Sequence, residues 1–600
     1  MADGKAAGGF WTLNRLFCRL VAAWSCVTAF RLAGNPDFAE LAWGQDASLA
    51  GMLFWIAVLF AVFTGVGLLF WRWKLQSDSW FLLGGATVCV GVWLGNAPAG
   101  ENQYGVLFLL AVMLVYCLFV LYVLQENRAL LDRVRLGRRW AWLIALLGAG
   151  VSCAVIAGIT VLRYRTFSSP NYDFGLFVNM FCNMKRTGLP LCTSERDRLL
   201  SHFAVHISPV WYLLYPVWCL FPTPETLQIA QAVVLMLGVV PVLLLCRQKG
   251  LSGRATAAVG LLYVFYPLIS TGCFYDIHEN CFLTLFLLLT FYFFEARHPV
   301  PMFLSALLVL SVKEDAAVYL LFFALYVLLG RRKYVQGLAL GALAGGYFVL
   351  TAYLLRRYGL GMMVNRFNNL IYDKDAGLLG ALKTAVVNPG YLLTQLFTTS
   401  GRTWEKVTYF CQLFLPLGML PFCAKKASRW LLVAPVLVNF LTYYQYQYHS
   451  GFQYHFGIAA FLFYALILNL PELGGAGMKQ RLLGVACACT LCCYLYSVIP
   501  VLGNYRARWE SGRETYAQME AILDTVPDDA SVCCSTFLLA HMADRAEIYE
   551  LAYHGNKPDV DYVVIDARYS SAAAYRRAYL AQGYTVASEH PGLIVILKKG

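Results

Sequence analysis

Residues 106–162, VLFLLAVMLVYCLFVLYVLQENRALLDRVRLGRRWAWLIALLGAGVSCAVIAGITVL, place a long apolar run on each side of a basic loop. Runs of about twenty apolar residues let a helix rising ~1.5 Å per residue cross ~30 Å of hydrocarbon. The loop carries the arginines Arg128, Arg133, Arg135, Arg138 and Arg139. Apolar helices joined by a basic loop are typical of multi-pass membrane proteins whose basic loops stay in the cytoplasm.

The composition of the whole chain supports this interpretation. Of 600 residues, 59% are hydrophobic and 14% are charged, and the mean hydropathy is +0.58. Soluble domains carry about 25% charged residues, so the values exclude an ordinary globular enzyme, a disordered chain and a coiled coil. The net charge of +13 lies in short clusters between apolar runs. It indicates membrane orientation, and we expect no nucleic-acid partner.

The pattern predicts an all-α polytopic membrane protein with about fifteen transmembrane helices and a small C-terminal α/β domain. Segment 209–222 is too short to span a bilayer and contains three prolines, so we expect an interfacial or re-entrant segment there. The expected spans are 16–35, 50–71, 80–97, 105–124, 140–162, 226–246, 255–272, 279–296, 299–312, 314–330, 334–355, 405–423, 428–445, 452–470 and 480–502.

Every second connection is basic, which sets the expected orientation in the cell membrane. The basic connections at 128–139, 247–254, 297, 331–333, 425–429 and 479–481 fall on one side. We expect that side, with the N-terminus, to be cytoplasmic. The acidic loop with Asp37, Glu40 and Asp46, segment 164–208 and the C-terminal region are then extracytoplasmic.

The chain divides into three parts: N-terminal helices (1–139), a transmembrane core (140–502) and a C-terminal domain (503–600). The C-terminal runs SVCCS, EIYEL, YVVID, YTVAS and LIVILKK predict strands, and Thr536–Asp544 and Ser571–Gln582 predict helices. We find no phosphate-binding glycine loop in this α/β domain.

Most of the 19 cysteines lie inside apolar runs without the paired spacing of a metal site. We interpret them as small core residues. Cys182 with Cys192, and Cys533 beside Cys534, lie in aqueous segments and could oxidise, although vicinal cysteines rarely bridge.

Polar residues concentrate on the expected outer loops, and in a chain with so little charge such residues usually have a function. Asp173 precedes Phe174, Phe177, Val178 and Phe181, which recur at helical spacing. This spacing predicts a short helix lying on the membrane with Asp173 at its start. The carboxylate either caps this helix or acts in catalysis, and the residues alone favour neither.

Two histidines follow in the same loop. His202 and His206 are four residues apart and share a face if the segment is helical. Such a pair more often packs at an interface than binds a metal, because a tetrahedral site needs further ligands. Phosphate contact is the other candidate role.

Two further short turns, each between two apolar runs, contain several charged residues. Asp276, His278 and Glu279 lie between two spans, where a solvated hairpin tip is the alternative to a ligand site. Lys313, Glu314 and Asp315 must pair or face a polar cavity, and we expect them to bind substrate. Lys313 could neutralise a phosphate or pair with Asp276 or Asp173. We expect Asp276 and His278 to come within bonding reach of at least one histidine of the 202–206 pair, because burying such groups unpaired costs several kcal/mol.

The last polar segment, YYQYQYHSGFQYH at 443–455, interleaves aromatic rings with amides and histidines. Aromatic belts occur at membrane interfaces without a ligand, but amide and ring together are how proteins hold sugars. Its candidate sugar-binding residues are Gln445, His449, Gln453 and His455. The loop 356–404, which carries Arg366 and Lys374, is basic although expected outside, and this suits an anionic headgroup.

These motifs resemble those of a bacterial and archaeal family of polytopic membrane proteins of unassigned function, which is similar to the GT-C superfamily of membrane glycosyltransferases. The resemblance covers about residues 150–570 and leaves the first four spans outside. It is carried by Asp173, His202, His206, Pro209, Asp276-Ile277-His278-Glu279, Lys313-Glu314-Asp315, Asn388-Pro389 and Val526-Pro527-Asp528-Asp529-Ala530-Ser531-Val532.

The resemblance implies a GT-C-like core that transfers sugar from a polyprenyl-phosphate-linked donor, presented from membrane lipid, to an unspecified acceptor at the outer face. Asp173 would match the acidic residue that activates the acceptor or helps hold a divalent metal. A carboxylate can take a hydroxyl proton, and Lys313 or Arg366 can stabilise the departing phosphate. A single displacement would invert the anomeric centre.

The chain departs from the family pattern at the residue after Asp173. Phe174 stands there in place of a second carboxylate. A metal would therefore need ligands from the 276–279 turn, where Asp276, His278 and Glu279 are the candidates, or from the two histidines. Metal dependence stays open.

Two other functions fit the sequence: a lipid or solute transporter, and a non-catalytic subunit of an envelope-assembly complex. A transporter is expected to place ionisable groups near the bilayer midplane on broken helices. Here they lie mostly at the expected outer ends of spans, which favours the transferase over the transporter. The subunit stays an alternative.

The orientation is tested by cysteine labelling in intact cells. Because Ser428 lies in a basic connection and Ser511 in the C-terminal domain, we expect an impermeant thiol reagent to modify Ser511→Cys and to spare Ser428→Cys. Modification of Ser428→Cys from outside would overturn this topology.

Overall fold

A computed structural model describes residues 9–33, 48–73, 75–96, 105–362, 364–371, 377–398 and 401–600. The acidic loop with Asp37, Glu40 and Asp46, and Lys374, lie outside these residues. The described chain is mainly helical. Six helices precede the first large loop: α1 (Leu13–Leu32), α2 (Leu49–Arg72), α3 (Asp78–Gly95), α4 (Val106–Glu126), α5 (Arg128–Arg133) and α6 (Arg138–Arg165).

The first large loop and the helices after it form the next part of the chain. The loop contains helix α7 (Leu176–Thr187) and a two-stranded antiparallel ribbon, β1 (Leu191–Cys192) and β2 (Leu200–Ser201). The following helices are α8 (Trp211–Leu220), α9 (Pro224–Leu237), α10 (Val239–Gln248), α11 (Gly253–Val264), α12 (Pro267–Thr271), α13 (Cys281–Glu295), α14 (Pro299–Leu310), α15 (Ala316–Leu325) and α16 (Tyr334–Tyr358).

The second half of the membrane region surrounds a fully buried helix, α21 (Phe456–Asn469), in which every residue is buried. A helix that is apolar all round belongs inside a bundle, and α21 packs against α13. The other helices here are α17 (Gly377–Val387), α18 (Pro389–Thr398), α19 (Thr403–Phe414), α20 (Val436–Leu441), α22 (Ala476–Ser497) and α23 (Ile499–Leu523).

Among the described residues, eight helical segments are long and apolar enough to cross a membrane, fewer than the fifteen expected spans. They are Leu49–Arg72, Asp78–Gly95, Val106–Glu126, Arg138–Arg165, Pro224–Gln248, Tyr334–Tyr358, Gln453–Glu472 and Ala476–Leu523. Three shorter apolar helices, Cys281–Glu295, Pro299–Leu310 and Ala316–Gly330, coincide with further expected spans, and a fourth, Trp211–Leu220, lies where no span was expected. Segment 209–222 contains the short α8, in line with its expected length.

Residues 405–445 depart most from the expected spans. Helix α19 ends at Phe414, ahead of Pro416, Gly418 with φ +56° and Pro421. Proline lacks the N–H that a helix interior needs, and positive φ interrupts the helical hydrogen-bond ladder. The two expected spans are therefore replaced by short helical pieces.

The C-terminal α/β domain has the five strands expected from the sequence: β3 (Val532–Cys534), β4 (Ile548–Glu550), β5 (Tyr562–Asp566), β6 (Tyr584–His590) and β7 (Ile594–Lys599). They form one sheet in the order β4-β3-β5-β7-β6. Strand β3 is parallel to β4 and β5, whereas β7 is antiparallel to β5 and β6. The helices are α24 (Thr536–Met542), α25 (Leu551–His554) and α26 (Ala572–Leu580). All cysteines, including the two candidate pairs, are free.

The C-terminal domain docks on the first large loop through buried polar contacts. Asn179 of α7 is fully buried, and its amide donates to the carbonyl oxygens of Ala543 at 3.0 Å and Arg545 at 3.1 Å. The imidazole of His541 stacks on Phe167 with ring centroids 3.8 Å apart. Helix α7 is buried from Leu176 to Met184, so it lies beneath this domain. The expectation from its apolar spacing, a helix lying on the membrane surface, is wrong.

We expect Asn179→Ala to destabilise the docked domain. The change leaves two buried carbonyl groups and the N–H of Thr193, which donates to Asn179 at 3.2 Å, without their partner, and each such group costs about 1–3 kcal/mol. Thermal unfolding in detergent should occur at a lower midpoint, and limited proteolysis should cut residues 503–600 faster. Asn504→Ala, at an exposed position on α23, is the control, and equal midpoints for the two variants would contradict the docking role.

Candidate functional site

The loops at one end of the helices enclose a cavity of about 530 Å³. Its wall combines the first large loop, the 275–279 turn, the 444–454 segment and Tyr553 of the C-terminal domain. The Asp, Glu, His, Lys and Arg side chains in the wall are Asp173, Glu195, Arg196, His202, His206, His278, Glu279, Lys313 and Arg366. Most of the expected site residues therefore share one cavity.

Asp173 occupies a strained turn at the edge of this cavity. Its backbone has φ +75° and ψ −63°, the geometry of a classic γ-turn, which is rare and costs free energy. The preceding Asn171 anchors the turn to the C-terminal domain, because its amide donates to Glu550 at 2.9 Å and its N–H donates to Thr536 at 3.0 Å. The Asp173 side chain is 38% exposed, and it faces the cavity.

The carboxylate of Asp173 pairs with His278 and does not cap a helix. Helix α7 begins at Leu176 without a side-chain capping hydrogen bond, so the structure does not support the capping alternative. Oδ2 of Asp173 lies 3.0 Å from Nε2 of His278, at ion-pair distance but outside hydrogen-bond geometry. Nδ1 of His278 lies 3.3 Å from the backbone oxygen of Asp276. Both ring nitrogens thus face acceptors, which favours the doubly protonated imidazolium.

Burial and pairing act in opposite directions on these two groups. Burial raises the pKa of Asp173, but the positive charge of His278 outweighs it and the net pKa is lowered. Burial lowers the pKa of His278, but Asp173 outweighs it and the net pKa is raised. The pair therefore favours an ionised carboxylate beside an imidazolium.

Asp276 lies behind the cavity wall. It is fully buried and has φ +83°. Its Oδ1 accepts hydrogen bonds from Ser169 at 2.9 Å and Gln228 at 2.6 Å, and its Oδ2 lies 3.6 Å from Arg163. Burial raises its pKa, and these partners offset only part of the effect. The carboxylate takes donors from α6, α9 and the first large loop, so the expectation that it would bond to His202 or His206 is wrong.

Glu279 and Lys313 form a second, deeper pair. Nζ of Lys313 lies 2.8 Å from Oε1 of Glu279, with 9% and 2% of the side chains exposed. Burial opposes ionisation of both groups, but their mutual attraction lowers the pKa of Glu279 and raises that of Lys313. The cavity thus has a fixed ammonium group in its wall.

The two histidines of the first loop have separate partners. Nδ1 of His202 lies 3.1 Å from Glu195, and Nδ1 of His206 lies 2.8 Å from Glu314. Glu314 also accepts from the N–H of Ile207 at 3.1 Å. Burial lowers the pKa of His202, but Glu195 outweighs it and the net pKa is raised. Glu314 holds the 206–207 turn from behind the cavity wall.

Among the Asp, Glu, Lys and Arg side chains of the wall, three are acidic (Asp173, Glu195, Glu279) and three are basic (Arg196, Lys313, Arg366). These charges balance. Every protonated histidine in the wall therefore makes it net positive, which suits an anionic ligand.

Aromatic rings form another part of the wall. The guanidinium of Arg366 lies 4.5 Å from the ring centroid of Tyr444 and 5.2 Å from that of Tyr454. The rings of Tyr275 and Phe452 pack with centroids 4.6 Å apart. This part of the wall therefore combines flat apolar ring faces with a fixed positive charge.

Five expected substrate-binding residues are not in the cavity wall: Glu314, Asp315, Gln445, His449 and His455. Asp315 is exposed. His455 is buried with Nε2 2.6 Å from the backbone oxygen of Leu268, and Nδ1 of His449 accepts from the N–H of Gly451 at 3.0 Å. The 443–455 segment is made of short 3₁₀ turns whose side chains point in different directions, and of its four candidates Gln453 alone lines the cavity.

Sequence reasoning missed three residues that shape the site. Glu195 belongs to the charged run Glu195-Arg196-Asp197-Arg198, which resembles a solvated turn. Arg163 is one of two arginines in the last turn of α6, and Tyr553 lies in a separate domain. The one available signal was the concentration of charge between Cys192 and His202.

The expected metal ligands do not converge. His278 pairs with Asp173, Glu279 with Lys313, and Asp276 with Arg163 and neutral donors. Across the described parts of the chain, no group of three or more His, Cys, Asp or Glu side chains is placed to hold a metal ion.

The apolar helices and the polar cavity at their ends define a multi-pass membrane protein. The chain belongs to the family described as predicted membrane protein (DUF2079), whose model matches residues 163–595. This match confirms the family resemblance, and it includes the cavity and most of the C-terminal domain.

The chain was also compared with curated proteins and solved structures. No curated protein matches it. The crystal structure of ArnT from Cupriavidus metallidurans bound to undecaprenyl phosphate is 11% identical, with a TM-score of 0.47 over 76% of this chain and 97% of ArnT. The cryo-EM structure of the arabinofuranosyltransferase AftD from Mycobacteria is 12% identical, with a TM-score of 0.41 over 78% of this chain and 40% of AftD.

A double-mutant cycle tests the Glu279–Lys313 pair. Lys313→Met leaves a buried carboxylate without its cation, and removing one partner of a buried pair costs about 3–5 kcal/mol of unfolding free energy. We expect the double variant Glu279→Gln/Lys313→Met to recover most of that loss in denaturant unfolding in mixed micelles.

The matched control is the exposed pair Arg506–Glu510, at 2.7 Å. Arg506→Met and Glu510→Gln should leave the unfolding free energy unchanged, because exposed pairs contribute little. If the double variant loses as much unfolding free energy as Glu279→Gln and Lys313→Met lose together, the two side chains are not coupled.

Proposed function

We propose that the chain is a membrane glycosyltransferase that moves a sugar from a polyprenyl-phosphate-linked donor to an acceptor hydroxyl in this cavity. The observation that carries the proposal is the Asp173 carboxylate, which is held ionised in a strained turn and partly exposed beside fixed cations and aromatic rings. Strained backbone clusters at functional sites.

Asp173 is the proposed general base. The acceptor oxygen attacks the anomeric carbon and forms the new glycosidic bond, and its proton passes to the Asp173 carboxylate. The bond between the anomeric carbon and the phosphate oxygen breaks, and its electron pair leaves with the polyprenyl phosphate. The lowered pKa of Asp173 keeps the base form populated. A weak base can take this proton because the acceptor hydroxyl becomes more acidic as its oxygen bonds to the anomeric carbon.

Cations in the wall suit the leaving phosphate. Lys313 uses one of its three N–H donors on Glu279, so two remain for phosphate oxygens. Arg366 lies beside Tyr444 and Tyr454, where a guanidinium can meet phosphate while a ring covers the sugar. We assign Lys313 and Arg366 to the donor phosphate, and Gln453 and the tyrosines to the sugar.

His278 is a positioning residue in this proposal. It fixes the Asp173 carboxylate at 3.0 Å and is itself fixed by the Asp276 backbone oxygen. A divalent metal does not fit the donor set, because each carboxylate in the wall already has its own cationic partner. The proposed reaction therefore uses the chain's own residues.

The proposal places the cavity on the outer face. Helix α6 begins at Arg138, in the basic loop expected inside, and its other end carries Arg163, which contacts Asp276. A helix of this length crosses the hydrocarbon, so the cavity lies on the side opposite the basic loop. The C-terminal domain, which contributes Tyr553, would be extracytoplasmic.

We expect Asp173→Asn to lower transfer by ~10²–10⁴-fold, the usual contribution of a general base, while the protein stays folded. Asparagine keeps the size and tolerates positive φ, but its amide cannot take a proton. The assay supplies membranes with radiolabelled polyprenyl-phosphate sugars and follows the label leaving the lipid.

Asp529→Asn, at an exposed position of the C-terminal domain, is the matched control and should transfer at the parental rate. If Asp173→Asn transfers as fast as the parent, Asp173 is not the base. If the parent consumes no lipid-linked sugar from a broad donor set, the transporter or the non-catalytic subunit replaces the transferase.

A further inference from the structure

A second cavity lies at the opposite end of α6. It measures about 430 Å³ and is lined by Arg138, Arg139, Trp142, Leu143, Leu146 and Arg247. We call it the arginine groove. Its wall combines three guanidinium groups with three apolar side chains and contains no carboxylate.

The arginines of this groove differ from other cations at the same end. Lys249, two residues after Arg247, pairs with the buried Glu295, as does Arg331. In contrast, the guanidinium groups of Arg138, Arg139 and Arg247 form no ion pair or hydrogen bond with the described part of the chain. Three neighbouring guanidinium groups without a counter-ion repel one another, and a bound anion would relieve this repulsion.

The position of the groove along α6 matches the boundary between headgroups and hydrocarbon. Arg138 and Arg139 begin the helix, and Trp140 follows with 62% of its surface exposed. Tryptophan is enriched at the membrane interface. One and two turns further on, Leu143 and Leu146 are 43% and 44% exposed. The cationic half of the groove therefore lies at headgroup depth and the apolar half at acyl-chain depth.

The start of α6 adds to the attraction for an anion. Gly137 precedes the first turn and provides no side-chain cap. The first N–H groups of the helix therefore have no intrahelical acceptor, and they favour negative charge nearby. Arginine also matches phosphate in a bidentate geometry. Guanidinium groups, unsatisfied N–H groups and an adjacent apolar wall together complement a phosphate ester attached to a hydrocarbon chain.

We propose that the arginine groove binds an anionic phospholipid, with the phosphodiester on Arg138, Arg139 and Arg247 and an acyl chain along Trp142, Leu143 and Leu146. The site is separate from the candidate catalytic cavity, because the 28 residues of α6 place its two ends about 42 Å apart. It does not depend on the proposed transferase activity.

Native mass spectrometry of the purified full-length chain in detergent tests the groove. Phosphatidylglycerol and phosphatidylcholine are titrated separately, and the parent should retain phosphatidylglycerol preferentially. The variant Arg138→Gln/Arg139→Gln/Arg247→Gln should bind phosphatidylglycerol roughly 100-fold more weakly, since three arginines near an anionic surface each contribute severalfold. Its thermal unfolding without lipid should match the parent, because all three side chains are exposed.

The matched control is Arg133→Gln/Arg135→Gln/Arg332→Gln, which removes the same charge from exposed positions outside the groove and should bind phosphatidylglycerol like the parent. An equal loss of phosphatidylglycerol binding in both triple variants would show a general effect of charge and would overturn the proposed site. The proposed site is also wrong if the parent binds phosphatidylglycerol no better than phosphatidylcholine. Displacement of the lipid by equimolar inorganic phosphate would assign the arginines to free phosphate and overturn the lipid site.

Discussion

The buried carboxylate of Asp276 is where the first large loop, α6 and α9 meet. A buried carboxylate without partners would destabilise the fold by several kcal/mol. This desolvation cost is reduced because three donors contact the carboxylate: Arg163, Ser169 and Gln228. Its backbone has positive φ, and its carbonyl oxygen faces Nδ1 of His278. The direction of the His278 ring, and through it the position of the Asp173 carboxylate, therefore depends on this one buried group.

The cavity follows the general rule that charge near a bilayer is tolerated when it is paired. Glu279 with Lys313 and Asp173 with His278 join segments from different parts of the chain, and Glu195 with His202 forms within the first large loop. Pairing lowers the desolvation cost of each group and leaves hydrogen-bonding capacity that faces the cavity. The same pairs fix the side chains in place, which is the preorganisation that stabilisation of developing charge requires.

The C-terminal domain belongs to the site as well as to the fold. Asn171 of the strained turn is held by Glu550 and Thr536, and Tyr553 reaches the cavity wall. These contacts, with the Asp173–His278 pair, offset the backbone strain of the turn. The family match extends through both the membrane region and this domain, as expected if they evolved as one unit.

The sequence by itself determined the membrane class, the helical character, the C-terminal strands and the loops on which polar residues gather, because apolar run length and alternation are local properties of the chain. It also led to Asp173, His202, His206, His278, Glu279, Lys313, Arg366 and Gln453, all in the cavity wall. Only the tertiary structure decided that Asp173 pairs with His278 and not with a helix end, that Asp276 turns away, and that His449 and His455 lie elsewhere. These outcomes depend on backbone direction at residues with positive φ and on partners more than a hundred positions apart, and local pattern contains neither.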